Sequence, residues 1–176
     1  LRKMLGNEAQ KYYGKLREIS DNSPLSQPQV FEIAGSLAQS GIDGKDLVEY
    51  TKKANQIALA FNMGTEEAGE FLAKTKAQLN LGTKELFAYA DTINYLSDNT
   101  ASKAIEITEI SQRVASLGGI AGVSRESVAA FGATLVSAGV GPERASTGLK
   151  NLYVDLSKGA SATNTAKKAF ESLGLS

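Results

Sequence analysis

The sequence predicts an all-α fold, an array or irregular bundle of about eight to nine helices joined by short loops. Three observations carry that expectation. Apolar residues recur three and four positions apart almost throughout, strand-type alternation competes nowhere, and only three prolines occur in 176 residues. The elements follow in chain order. Residues 1–24 read as an N-terminal helical segment, a continuation from upstream chain, ahead of a compact helical module over 25–176. Leu1 and Ser176 read as cut ends of a longer chain, since no initiator Met opens it.

Within the module, Leu47, Tyr50, Thr51, Ala54, Ala58 and Phe61 share one helical face, while Lys45, Glu49, Lys52, Lys53 and Gln56 share the other. Ala68, Phe71, Leu72, Thr75 and Leu79 form the next stripe. Leu86, Ala90, Ile93 and Leu96 follow, then Ile107, Ile110, Val114 and Leu117. Val128, Phe131, Leu135 and Ala138 make another stripe, and Ala145, Leu149, Leu152 and Leu156 the last.

The boundaries between stripes repeat a pattern. Ile42-Asp43-Gly44-Lys45, Met63-Gly64-Thr65-Glu66, Leu81-Gly82-Thr83-Lys84, Val123-Ser124-Arg125-Glu126 and Val140-Gly141-Pro142-Glu143 each set an apolar residue before a small or acidic one and a charged first turn. This is a helix-start signal. The small residue occupies the N-cap, Pro142 suits the first turn, and Glu66, Glu67, Glu85, Glu126 and Glu143 sit where the helix dipole favours carboxylates. The preceding apolar residue can staple onto the first turn. Gly41, Gly64, Gly82, Gly118, Gly139 and Gly141 read as helix stops. Helices of about 14–18 residues result, and two- to four-residue connections fold neighbours back on one another. Start-to-start spacings of 21, 18, 42 and 17 are too uneven for a solenoid repeat.

Composition narrows the chemistry. The chain has no His, Cys or Trp, so the usual ligands for zinc, copper, haem and iron–sulfur clusters are missing. The commonest general base and the thiol nucleophile are missing too. No catalytic, cofactor-binding or metal-binding residue is assigned, and no cofactor or enzymatic activity is expected. Without cysteine the chain suits cytosol and exterior alike. Lys plus Arg equals Asp plus Glu at 19 each, which lacks the basic surplus of a phosphate-binding surface. Arg2, Lys3, Lys11, Lys15 and Arg17 outnumber Glu8 and Glu18 near the start, and a solvated helix face accounts for them. The uncharged run 128–141 has 14 residues, against the roughly 20 a membrane span needs.

Four constellations that could carry chemistry have simpler readings. Gly118-Gly119-Ile120-Ala121-Gly122 has no preceding strand and no Lys-Ser/Thr in phosphate-loop register, and reads as a corner between helices. Glu66, Glu67 and Glu70 read as solvated first-turn carboxylates, and Asp91, Asp98, Glu106 and Glu109 lack calcium-loop spacing. Tyr12, Tyr13, Tyr50, Tyr89, Tyr95 and Tyr153 fall at or beside core stripes. Ala, Gly and Ser dominate 114–148, which allows close helix approach, either inside the fold or on a surface for self-assembly.

The order and spacing of these segments resemble the core of tailed-phage tape measure proteins of the TP901 type. The resemblance runs through Ala58-Leu-Ala-Phe-Asn-Met-Gly-Thr-Glu-Glu-Ala68 and Asp98 to Glu106. It is strongest in Val123 to Leu135 and Ala138 to Ala145, and closes with Lys167 to Leu175. It covers roughly residues 25–176. Gly64, Gly82 and Gly141 stand where such boundaries commonly carry Ser. The resemblance implies a structural virion protein of a phage or prophage, lodged in the tail lumen and passing through the host cytoplasm during assembly. It implies roles in tail assembly, length determination and genome delivery, with tube, tail-chaperone and baseplate proteins or further copies of itself as partners. The alternative is a helical interaction or scaffolding domain of a bacterial host protein.

Overall fold

The computed structural model describes residues 9–42, 44–161 and 163–172. Nine α-helices and no strand occur among them: α1 Ala9–Asp21, α2 Gln27–Gln39, α3 Asp46–Ala60, α4 Thr65–Leu79, α5 Thr83–Asn99, α6 Ala104–Ile120, α7 Arg125–Ser137, α8 Pro142–Lys158 and α9 Asn164–Ser172. A 3-10 turn, Gly159–Ser161, follows α8. The all-α expectation holds, and most loops are three to six residues long. The chain forms two compact units, one ending at Asn94 and one beginning at Tyr95. The division falls inside α5.

In the first unit α1 packs on α2 and α3, α2 on α3 and α4, and α3 on α4. The predicted face of α3 is the observed one: Leu47, Tyr50, Thr51 and Ala54 are wholly buried, and Ala58 and Phe61 nearly so. Leu16, Ile33, Leu37 and Leu72 complete a core in which each side chain contributes roughly 1.5–3 kcal/mol by leaving water. Aromatic side chains tie the helices together. The Tyr50 and Phe87 rings meet edge-on at 5.2 Å, Phe61 and Phe71 at 5.8 Å, and Tyr50 Oη hydrogen-bonds Thr83 Oγ1 at 3.1 Å. Gly69 lets α4 close on α2, since a Cβ there would lie 2.9 Å from Ser36 Oγ and 3.3 Å from the Ile33 carbonyl.

The second unit packs α6 on α7 and α8, and α7 on α8. Its core uses smaller side chains. The buried face of α7 is Val128, Ala129, Gly132 and Ala133, whereas Phe131 of the expected stripe is 51% exposed. On α8 the core runs through Ala145, Ser146, Leu149 and Tyr153, leaving Leu152 outside. Both shifts share a cause. Where the inward positions are Ala, Gly and Ser, the largest apolar residues no longer mark the core face.

The small residues of 114–148 therefore serve close packing within the fold. A Cβ on Gly132 would lie 3.0 Å from Ile110 Cγ2, and one on Gly118 only 2.5 Å from Val128 Cγ2. Gly118 is thus a buried packing position inside α6, which continues to Ile120, and not the helix stop that the sequence suggested.

Candidate assembly surface

The five repeating boundaries share one backbone design. At each, the residue before the apolar one has a left-handed conformation: Gly41 (φ 82°), Asn62 (φ 50°), Asn80 (φ 48°), Gly122 (φ 76°) and Gly139 (φ 86°). The apolar residue's N–H then donates five positions back. Ile42 bonds the Leu37 carbonyl at 2.9 Å, Met63 Ala58 at 3.1 Å, Leu81 Lys76 at 3.1 Å, Val123 Gly118 at 2.8 Å and Val140 Leu135 at 3.0 Å. These bonds satisfy carbonyls that the helix end would otherwise leave unpaired. The apolar side chain seals the first three corners, where Ile42, Met63 and Leu81 are buried, and half covers the last two through Val123 and Val140.

At the four later boundaries the next residue starts the following helix, whereas α3 is entered through Lys45. Gly64 (ψ 153°), Ser124 (ψ 152°) and Gly141 (ψ 150°) are extended N-caps. Glu67 accepts from the Gly64 N–H at 3.3 Å, Glu85 from Gly82 at 3.2 Å, and Ser124 Oγ from Ser127 N–H at 3.1 Å. Gly64, Gly82 and Gly141 are therefore starts rather than stops; the stops are the Gly or Asn two residues earlier. Asp43 of the first boundary lies outside the described residues. The long spacing of 42 marks the α5–α6 junction, built instead on a polar turn with Thr100 against Ser102 at 2.5 Å and Lys103 N–H on Glu106 at 2.8 Å.

The glycine run 118–122 is the end of α6 plus one such stop, with no cradle of free amides, since Val123 and Gly122 donate back into the helix. Glu67 is a cap, Glu70 pairs with Lys74 at 2.5 Å, and Glu32 accepts from the Thr65 hydroxyl. Asp91 pairs with Lys53 at 2.5 Å, Glu106 caps α6 and Glu109 pairs with Arg113 at 2.6 Å. The structure does not bring these two acidic sets into a ligand cluster, and no metal-capable group of three such side chains occurs among the described residues.

Tyr12, Tyr50, Tyr89 and Tyr153 are buried, while Tyr13 and Tyr95 are exposed. Burial pushes the Tyr153 hydroxyl above its ordinary pKa of 10.0. Of the early basic residues, Lys11, Lys15 and Arg17 are solvent-facing, and Arg2 and Lys3 lie outside the described residues. No helix among the described residues is long and apolar enough to cross a membrane.

What remains available to partners is surface. In the first unit α1 and α3 border an open groove of about 730 Å³, lined by Ile19, Val48 and Leu59 between Lys15, Glu49 and Lys52. In the second unit Ile105 (39% exposed), Ile120 (72%), Phe131 (51%) and Leu152 (36%) stand in solvent. Sequence reasoning missed this second set by placing Phe131 and Leu152 in core stripes.

A probable tape measure protein of Halomonas phage phiHAP-1 is 29% identical over 181 aligned positions, covering 96% of this chain and 21% of the relative. The chain thus spans about a fifth of that relative's length. No solved structure matches it. Residues 14–176 match the phage-related minor tail protein family. The resemblance carried by the helix boundaries is borne out, and the chain belongs to the phage-related minor tail protein family, a structural component of phage tails.

Proposed function

We propose that this chain is a folded assembly module of a tail tape measure protein, positioned in the virion tail and contacting other tail proteins or further copies of itself. The printed name of the phiHAP-1 relative supports the tape measure role. The observation that carries the module reading is the run of five helix-breaking corners. A length gauge is best made as one uninterrupted helix rising about 1.5 Å per residue. Here the longest helices among the described residues have 17 residues and span about 25 Å before a left-handed residue or a polar turn ends them.

In this reading the module acts in assembly, with tail length set by chain outside it, and it carries no enzymatic step of its own. Genome delivery would be a role of the whole protein. The test is in-frame deletion within residues 43–157, followed by electron microscopy of the particles. Loss of tails is expected. A graded series of shorter but otherwise normal tails would overturn the reading and make this segment part of the gauge. Peptides of the segment in purified tailed particles, read by mass spectrometry, check its place in the virion.

A further inference from the structure

The two units differ sharply in how they bury their large apolar side chains. Of the first unit's twenty-five described Val, Ile, Leu, Met, Phe and Tyr residues, seventeen are buried and two exposed. Of the nineteen in the second unit whose side-chain burial is described, six are buried, eight half-buried and five exposed. Those six are Ile107, Ile110, Val114, Val128, Leu149 and Tyr153. The rest of the second core is Ala, Gly, Ser and Thr, which bring little apolar area out of water.

Two further observations point the same way. Thr108 Oγ1, Ser111 Oγ and Tyr153 Oη are buried without a hydrogen-bond partner among the described residues, so opening returns three desolvated groups to water. From residue 94 to residue 101 no side chain is buried, although α5 stays helical to Asn99. A stretch with no buried side chain has little with which to transmit cooperativity.

We propose that the second unit opens as a separate, low-stability step while the first stays folded, with the break in protection falling inside α5 after Ile93. The inference rests on burial and hydrogen bonding alone and does not depend on the tail assignment. It describes a chain with a fixed half and a yielding half. Opening the yielding half exposes the small-residue faces of α6, α7 and α8 to whatever it meets.

Hydrogen exchange by mass spectrometry on the 176-residue chain tests this. The slowest amides of α6–α8 should exchange about 100-fold or more faster than those of α2–α4, because sub-global opening sets their rate. Protection should step down within α5, between its peptides before Ile93 and after Leu96. Gly118→Ala, whose Cβ would meet Val128 Cγ2 at 2.5 Å, should speed exchange in α6–α8 by about tenfold further and leave α2–α4 unchanged. Should that variant lose the second unit altogether, retained protection in α2–α4 would still support separate opening. Gly132→Ala, with its nearest contact at 3.0 Å, provides a milder version. Uniform protection across all helices, or a variant that speeds both units equally, would overturn the proposal.

Discussion

Two glycines, two residues apart, should respond to substitution with opposite signs. Gly139 sits at φ 86° as the left-handed stop of α7, and Gly141 at φ −61°, ψ 150° as the N-cap of α8. Neither has a heavy atom within 4 Å of a built Cβ, so crowding plays no part and backbone conformation decides. Ala at Gly139 must hold an L-residue in the left-handed region, at a cost of about 1–2 kcal/mol. Ser at Gly141 enters a conformation that any residue adopts, which also suits the position before Pro142. It removes about 0.4–1 kcal/mol of unfolded-chain freedom and adds a few tenths through its cap oxygen. For a unit of this size 1 kcal/mol moves a thermal midpoint by roughly 4–8 °C. Circular dichroism melts should therefore show Gly139→Ala falling by roughly 4–16 °C and Gly141→Ser rising by several degrees, with the double variant near the sum. Shifts of the same sign in both, or an unchanged Gly139→Ala, would refute the corner geometry.

Other outcomes follow from single contacts. Leu72→Ala, at a wholly buried site, should cost about 2–5 kcal/mol in denaturant unfolding of the first unit. Asp91→Asn should cost less than about 1 kcal/mol, because the carboxylate that meets Lys53 is 70% exposed, and raising the salt concentration should erase most of that loss. Tyr153→Phe should be neutral or slightly stabilising at pH 7, since it removes a buried hydroxyl without a partner. Its pH signature follows from linkage. The folded pKa lies above 10.0, so the tyrosine's contribution is fully present below pH 10 and is lost as pH rises toward and through the folded value, where the unfolded chain ionises first. Alkaline unfolding titrations should show a shallower loss of stability above pH 10 in the Phe variant than in the parent.

The legible part of the fold was the part that rests on large side chains. Leu47, Tyr50, Leu72 and Leu86 mark their faces in the sequence because the smaller buried residues, Thr51, Ala54, Ala68 and Ala90, fall on the same faces, and all four are buried. The periodicity fails where the interior is made of small residues. Apolar size points to Phe131 and Leu152 as core, but Gly132 is what fits against Ile110, with Ala133 buried beside it in the chain. The corners were half-legible. Their apolar and capping residues stand out, whereas Asn62 and Asn80 did not register as stops because Asn is ordinary almost everywhere except in the left-handed conformation it adopts here. Reading glycine as the stop at 64 and 82 placed the turn two residues late.

The exposed set of the second unit could not be found by motif, because surface exposure of an apolar residue has no local signature. The same corners that made the family legible also limit what a deletion can do. In an uninterrupted helix, removing residues shortens the element by about 1.5 Å each and leaves the rest intact. In α6, removing three residues between Ile110 and Gly118 would retain the helix but shift the two positions relative to one another. Gly132 meets Ile110 and Val128 meets Gly118, so α7 could not satisfy both contacts at once. Length cannot be subtracted from such a segment without loss of packing, whereas an uninterrupted helix would lose length alone.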